Sequence, residues 1–281
     1  MHYGLSMFPT EYSIQPAELA RAAEERGFES LWFPEHTHIP VSRETPWPGG
    51  ADLPQEYCDT YDPFIALAMA AAATSKLKVA TGICLVVERD PIVLAKVIAS
   101  LDQLSGGRFM LGVGGGWNVE EMRNHGTDFK SRWRLQKERI EAMKAIWTND
   151  KAEYHGEFVD FDPIFSNPKP KQEPHPPIHV GGRAPWNLRR TVDYGDGWFP
   201  IAALGDPCEH LGELRRLAEE AERDPATIEV SIMGARRDAK ILARYRDAGI
   251  TRVVYTVPPA PADVVLPKLD AFAAEMQKLD G

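Results

Sequence analysis

The chain is poor in cysteine and has no long apolar run. Its three cysteines, Cys58, Cys84 and Cys208, lie far apart and form no CxxC pair, so we expect neither a disulfide framework nor a metal site. No stretch approaches the roughly eighteen consecutive apolar residues of a membrane span, and no basic segment near the N-terminus leads into an apolar one. We therefore expect a cytoplasmic protein without membrane contact.

The chain also lacks an excess of positive charge. It has 32 Lys and Arg residues against 41 Asp and Glu, a net charge of −9, with both signs mixed along the sequence. This pattern argues against a nucleic-acid partner, and an anionic ligand would need a local basic pocket. The length of 281 residues and the hydrophobic content of 43% indicate a globular protein, which we interpret as a single domain over residues 1–281.

Short apolar segments alternate with amphipathic ones along the chain. Strands are predicted over residues 3–8, 30–34, 78–86, 108–113, 177–180, 197–200, 228–233 and 252–257. A helical pattern follows each strand; the clearest begins at Asp90-Pro91, an N-cap followed by proline, and ends before Gly106-Gly107. Eight such units are the count of a (β/α)8 TIM barrel. A doubly wound open sheet would use the same elements and stays open as an alternative.

Two segments interrupt this alternation. A hairpin is predicted over residues 152–161, and residues 163–177 contain six prolines. Because such a stretch cannot supply a core helix or a central strand, we interpret residues 151–177 as an insertion into the barrel after its fourth strand. The loop of residues 40–61, rich in Pro and Gly, is long enough to form a lid over a pocket.

Catalytic residues of a barrel lie at the C-terminal ends of its strands. The second strand ends in Glu35-His36, and this imidazole can act as a general acid or donate a hydrogen bond to a reacting carbonyl. A histidine that only caps the following loop is the alternative. The third strand passes Gly82-Ile83, where a glycine indicates a bulge, a close backbone approach or simple packing.

A glycine-rich segment follows the fourth strand. Residues 105–118 read Ser-Gly-Gly-Arg-Phe-Met-Leu-Gly-Val-Gly-Gly-Gly-Trp-Asn, which predicts a helix stop, a buried strand and a glycine floor for a flat ligand. The GxGxxG spacing of a dinucleotide fingerprint fails, because Trp117 stands where a glycine is needed. Residues 118–121 then match a capping box.

A second glycine segment follows the fifth strand. Gly181, Gly182 and Arg183 precede a predicted helix. Backbone amides and an arginine at a helix N-terminus favour a phosphate, so we predict a phosphate cradle here. Arg189 and Arg190, farther along the same helix, are interpreted as a solvated face.

Several of these motifs resemble the luciferase-like monooxygenase family. They are Asp90-Pro91 through Ala95-Lys96, residues 101–108 (Leu-Asp-Gln-Leu-Ser-Gly-Gly-Arg) and residues 111–117 (Leu-Gly-Val-Gly-Gly-Gly-Trp). Within that family, residues 176–182, 188–190 and 195–198 are similar to the branch of oxidoreductases that use the deazaflavin coenzyme F420. The resemblance covers nearly the whole chain.

The resemblance implies a (β/α)8 barrel that binds F420 or FMN at the strand C-terminal ends. It places a cis peptide on Gly82-Ile83 and, on His36, the acid near the carbon of the cofactor that exchanges hydride. The other implied cofactor contacts are Glu35, the floor of Gly115 and Gly116, and the cradle of Gly181, Gly182 and Arg183. A homodimer is also implied.

Trp117 departs from one pattern, because relatives that oxidise sugar phosphates carry a carboxylate there. An acid from the long loop, Glu44 or Asp52, is the remaining substitute. We therefore expect hydride transfer between C5 of F420 and a small organic substrate, which lies under the loop of Trp47 and the proline-rich insertion, with a proton from His36.

Three alternatives stay open. An FMN-dependent monooxygenase of the same family would use reduced flavin and oxygen. A non-catalytic flavin-binding protein would bind the cofactor without turnover. A barrel aldolase or isomerase acting on a phosphorylated metabolite would need a Schiff-base lysine or a carboxylate base at a strand C-terminal end, and Lys78 is predicted at the opposite end of its strand.

Overall fold

Eight of the ten strands in the described part of the chain form one closed sheet. The computed structural model describes residues 1–50 and 52–280. Its strands are β1 (His2–Ser6), β2 (Ser30–Phe33), β3 (Lys78–Thr81), β4 (Phe109–Val113), β5 (Ala152–His155), β6 (Asp160–Ile164), β7 (Ile178–Gly181), β8 (Gly197–Phe199), β9 (Glu229–Met233) and β10 (Arg252–Thr256). Around the barrel they follow the order β1-β10-β9-β8-β7-β4-β3-β2. Because β1 pairs in parallel with both β2 and β10, the predicted TIM barrel is confirmed and the open sheet is excluded.

The helices cover the outside of the barrel. They are α1 (Pro16–Glu25), α2 (Glu56–Asp59), α3 (Pro63–Ala72), α4 (Pro91–Ser105), α5 (Val119–Asn124), α6 (Arg132–Thr148), α7 (Trp186–Tyr194), α8 (Leu211–Glu220), α9 (Ala239–Asp247) and α10 (Ala262–Asp280). The predicted ends of α4 are confirmed. Asp90 Oδ1 accepts a hydrogen bond from the Val93 amide at 2.9 Å, and Gly106 ends the helix with a φ of 76°. No helix within the described ranges is long and apolar enough to cross a membrane.

Side chains fill the interior of the barrel. One buried layer comes from five strands and consists of Trp32, Ala80, Met110, Phe199 and Val254. Trp32 stacks on Phe199 at a ring distance of 4.5 Å, and Ile83 packs against this layer. Toward the N-terminal ends of the strands, the buried Arg252 pairs with Glu29 and Glu229. Because the interior is filled, we expect a ligand site at the barrel mouth, the C-terminal ends of the strands, where Ile83 covers the buried layer.

The insertion lies on the outside of the barrel. The antiparallel β5–β6 hairpin packs along α6, where Glu138 accepts hydrogen bonds from the amides of residues 157–159. The proline-rich part reaches the opposite end of the barrel, since Gln172 Nε2 donates to the carbonyl of Phe109, the first residue of β4, at 2.8 Å. The expectation that the proline-rich part covers the substrate is therefore wrong.

Candidate functional site

The bulge after β3 forms the centre of the barrel mouth. The Gly82–Ile83 peptide is cis, as the resemblance implied. The Ile83 side chain reaches between two neighbouring strand ends: a Cβ on Gly114 would lie 2.8 Å from Ile83 Cδ1, and a Cβ on Gly181 3.0 Å from its Cγ2. The structure thus brings the predicted bulge and both glycine segments together around one half-buried side chain.

Glu35 contacts the segment that follows this bulge. Its carboxylate is buried, accepts a hydrogen bond from the Leu85 amide at 2.6 Å and pairs with Arg89. Arg89 in turn bonds Asp62 at 2.6 Å. Since protein donors already engage both oxygens of Glu35, the side chain fixes the segment after the bulge, and its contact with a cofactor stays a prediction.

His36 is paired with a carboxylate that sequence reasoning missed. Its Nδ1 lies 2.7 Å from Glu121 Oε2, and the two side chains are 7% and 1% exposed. Asn118 does cap α5, accepting from the Glu121 amide at 3.2 Å, but the Glu121 side chain turns to His36 instead of completing the capping box. This bond directs the other imidazole nitrogen, Nε2, away from Glu121, which is the arrangement of an oriented acid or base.

Aromatic rings surround His36 on the mouth side. Its ring centroid lies 5.2 Å from that of Tyr57 and 5.8 Å from that of Trp117, and Trp47 contacts Tyr57 at 5.7 Å. Trp47 and Tyr57 belong to the long loop, so this loop does reach the predicted site. Burial raises the pKa of the Tyr57 hydroxyl, which keeps it neutral. The surface offered beside His36 is therefore aromatic and uncharged.

Glu120 fastens the long loop to the barrel. It accepts hydrogen bonds from the Thr45 amide at 2.9 Å and from the Thr45 hydroxyl. Although burial opposes the effect, these bonds lower the pKa of Glu120 to about 2, so the carboxylate stays ionised and the anchor holds at neutral pH. Glu44 and Asp52 are exposed, and the carboxylate that meets His36 is Glu121.

Side chains of the protein itself fill the space next to the glycines that follow β4. A Cβ on Gly115 would lie 2.7 Å from the ring of Trp133 in α6, and one on Gly116, whose φ is 68°, would lie 2.4 Å from Met122. Gly115 is buried under the indole, whereas Gly116 is half-buried. Trp133 therefore belongs to the floor, although no sequence motif pointed to it.

Two arginines stand at the outer end of this floor. Arg190 lies over the Trp133 ring at 3.8 Å and donates to Asn187 Oδ1 at 2.7 Å. Arg132 lies 5.1 Å from the same ring, and its Nε is buried without a hydrogen-bond partner in the described chain. Burial and mutual repulsion with Arg190 lower the pKa of Arg132. Two neighbouring guanidinium groups without an acidic partner among the described residues fit an anionic ligand group.

The predicted phosphate cradle is only partly available. The amide of Gly182 donates to the Phe199 carbonyl at 3.2 Å, so it is already used. Arg183 is exposed and lies over Trp186. Arg189 is exposed, as interpreted, but Arg190 is half-buried against Trp133 and not part of a solvated face. The helix pattern could not reveal this, because Trp133 comes from α6.

Other features lie away from this mouth. Lys78 pairs with Glu29 at 2.9 Å near the N-terminal end of the barrel, which leaves it unsuited to a Schiff base at the site. Two surface grooves, of about 340 and 470 Å³, lie along α1 and α3 and beside α8, and neither includes a predicted site residue. No group of side chains in residues 1–50 and 52–280 is arranged to hold a metal ion.

Comparisons with known proteins identify the family to which the chain is similar. The model of the family described as luciferase-like monooxygenase matches residues 14–275. An uncharacterized protein of Mycobacterium tuberculosis is 40% identical over 280 residues, 98% of this chain and 99% of that protein. The F420-dependent hydroxymycolic acid dehydrogenase of the same organism is 27% identical over 81% of this chain and 61% of its own length. The FMNH(2)-dependent dimethylsulfone monooxygenase of Pseudomonas putida is 42% identical over 40% of this chain and 31% of its own length.

Solved structures share the fold. The monooxygenase RslO1 from Streptomyces bottropensis matches with a TM-score of 0.81 at 20% identity and covers 100% of both chains. An F420-dependent secondary alcohol dehydrogenase in complex with an F420-acetone adduct matches with a TM-score of 0.77 at 20% identity, covering 99% of both chains. At these identities the likeness concerns the barrel alone.

Proposed function

The chain belongs to the luciferase-like monooxygenase family, and we propose that it transfers a hydride between coenzyme F420 and a small organic substrate. The observation that carries the proposal is the pair of His36 and Glu121 at the barrel mouth. It provides one oriented imidazole beside uncharged aromatic rings, which suits proton exchange with the oxygen of an alcohol or a carbonyl. F420-dependent relatives in sequence and in fold support the choice of cofactor.

The residues of the mouth fit a flat cofactor with an anionic tail. The half-buried Gly82 and Ile83 would support the ring, together with Gly116 and the Trp133 indole above Gly115. The guanidinium groups of Arg132 and Arg190, which have no acidic partner among the described residues, would receive phosphate. Gly181, Gly182 and Arg183 would border the same group. When bound, a deazaflavin supplies hydride chemistry at C5 of its ring.

His36 would hold and move the proton of the reaction. With Nδ1 bonded to Glu121, the imidazole presents Nε2 to the substrate oxygen. In the reducing direction, the Nε2–H bond breaks as the O–H bond of the alcohol forms; the oxidising direction reverses both. Trp47, Tyr57 and Trp117 would cover a small, uncharged substrate and exclude water from it. No carboxylate follows the β4 glycines at position 117, so we do not propose sugar-phosphate oxidation.

An FMN-dependent monooxygenase is the second candidate, supported by the FMNH(2)-dependent relative. The residues that we propose to contact the ring and the phosphate would accept either F420 or FMN. A non-catalytic flavin-binding protein is the third candidate; it would not need the buried Glu121 to orient His36.

The cofactor is tested by titrating the protein with F420 and with FMN, each oxidised and reduced, and following fluorescence quenching. We expect F420 to bind more tightly than FMN in both redox states. A protein that is yellow as purified, or that binds FMN in preference, would exclude F420 as its cofactor. His36→Ala should keep cofactor affinity while lowering turnover of any substrate found, whereas a pure binding protein would lose little.

We also propose that the protein is a homodimer in the cytoplasm. Large apolar side chains are exposed on the outer faces of α3 and α4, including Ile65 at 70% and Leu104 at 83%, and a second subunit would cover them. The three cysteines are free, as expected in a reducing compartment. Analytical ultracentrifugation of wild type and Ile65→Lys would test the dimer.

A further inference from the structure

Behind His36 lies a buried carboxylate that the proposed reaction does not use. Glu88 ends a three-residue 3-10 turn, Val86–Glu88, and its side chain is 1% exposed. Neither of its oxygens has a hydrogen-bond partner in the described chain. The same is true of Glu121 Oε1, although Glu121 Oε2 bonds His36. Buried polar groups are normally paired, so these orphaned oxygens call for an explanation.

The charges around Glu88 favour its neutral form. Burial is the main cause that raises the pKa of Glu88 to about 9, and the negative charges of Glu121 and Glu35 add to it. Arg89 and Arg139 oppose the shift, but Glu35 engages Arg89, and Arg139 donates to the carbonyl of Val86 at 2.8 Å. At neutral pH the side chain is therefore a carboxylic acid, which has one O–H to donate.

His125 faces Glu88 from the solvent side. Its Nε2 lies 3.7 Å from Glu88 Oε2, its side chain is 28% exposed, and the same nitrogen lies 2.7 Å from the Thr37 hydroxyl. Burial and the neighbouring His38 lower the pKa of His125, so His125 is neutral at pH 7. His125 therefore does not stabilise an ionised Glu88. The amide of His125 donates to the Glu121 carbonyl at 3.3 Å, so the two residues lie one helical turn apart on the same face. Glu88, which faces His125, lies beside that face.

We propose that Glu88 is a positioning residue that, as a neutral acid, donates a hydrogen bond to the free oxygen of Glu121 and so holds Glu121 on His36. This inference rests on the proposed function only in assuming that His36 transfers the proton of the reaction. No proton is transferred in this contact. The O–H group of Glu88 donates to Glu121 Oε1, directly or through one water. Ionisation of Glu88 would remove that donor and place a second negative charge beside Glu121.

The test follows the ring nitrogens of His36 by NMR in the full chain labelled at histidine, with His36→Gln to assign the signals. In wild type we expect a step in the His36 signals with a midpoint near pH 9, where Glu88 ionises. Glu88→Gln keeps a donor of similar size at every pH, so the step should vanish while the neutral-pH signals stay in place. Glu219→Gln, on the exposed face of α8, removes the same charge and should keep the step.

Infrared spectroscopy gives an independent reading. Wild type in D2O at pH 7 should show the carbonyl band of a protonated carboxylic acid, and Glu88→Gln should lose it. A step near pH 9 that survives in Glu88→Gln, or a band that this variant retains, would overturn the proposal. Neither experiment contains cofactor or substrate. Failure of F420 to bind would therefore contradict the proposed function without affecting these results. Likewise, loss of the step or of the band in wild type would contradict the role of Glu88 without affecting the proposed function.

Discussion

Gly182→Ala tests whether the arginine end of the mouth binds the anionic part of the cofactor. A Cβ at this position would lie 1.9 Å from Asn187 Nδ2 and 3.0 Å from Asn187 Cγ, so the amide must move. Asn187 holds Arg190 through a 2.7 Å hydrogen bond, and its displacement would free the guanidinium. The φ of 125° adds backbone strain that we expect to cost about 1–3 kcal/mol of stability.

The expected loss of affinity follows from the contact that Arg190 would make. A hydrogen bond to a charged group contributes about 1.5–3 kcal/mol, which corresponds to about 10- to 150-fold in Kd. Fluorescence titration with F420, well below the melting temperature, should show a rise of that size. Arg190→Met, which leaves the backbone unchanged, should show the same rise.

Gly212→Ala is the matched control. Gly212 lies in α8 with open space around its Cβ position and with an ordinary φ. The substitution should stabilise the helix by up to about 1 kcal/mol and leave the Kd unchanged. If Gly182→Ala binds F420 as tightly as wild type does, Asn187 and Arg190 do not form the anion site.

Four further predictions concern the barrel end, His36 and the long loop. Removing the buried cation with Arg252→Met should lower the free energy of unfolding in urea by about 1.5–3 kcal/mol, the typical value of a hydrogen bond to a charged group, because Glu29 and Glu229 lose their bonds to Arg252 while Lys78 still pairs with Glu29. Although burial opposes the shift, the bonds to Arg252 and Lys78 lower the pKa of Glu29 from 4.5 to about 2. The stabilisation that Glu29 gives is therefore complete above about pH 4.5, and unfolding curves of wild type and Glu29→Gln should converge as the pH falls toward 2. Glu121→Gln should lower kcat with F420 and a turned-over substrate by about 10²- to 10⁴-fold, the typical share of general acid catalysis, while an unchanged kcat would contradict the pairing with His36. Thr45→Val should loosen the long loop, raising KM and the rate of proteolysis there, and equal proteolysis of variant and wild type would contradict the anchor.

The order of the barrel elements could be predicted from the sequence because the signals that define them are local. The N-cap at Asp90 and the stop at Gly106 specify α4 through neighbouring residues alone. The third strand was predicted to continue to residue 86, but β3 ends at Thr81, since the bulge at Gly82–Ile83 and the 3-10 turn after it interrupt an apolar run. Apolar composition does not distinguish a strand from such a turn.

The partners of the site residues could not be predicted, because they depend on contacts between distant segments. Glu121 matched a local capping box, yet its side chain bonds a histidine 85 positions away. Arg190 occupies a helix position typical of a solvated residue, but the Trp133 indole from another helix packs against it. The proline composition predicts a segment outside the core, but the sequence has no signal for the end of the barrel on which it lies.

The three thiols differ in a way that makes the long loop observable. Cys84 is buried behind the bulge, where burial raises its pKa well above the usual value, and burial also raises the pKa of Cys208. Cys58 is exposed in α2, next to Tyr57 of the aromatic group. In a Cys208→Ser background, a maleimide dye would label Cys58 selectively, and a change in its emission would report whether the loop moves when a candidate cofactor binds.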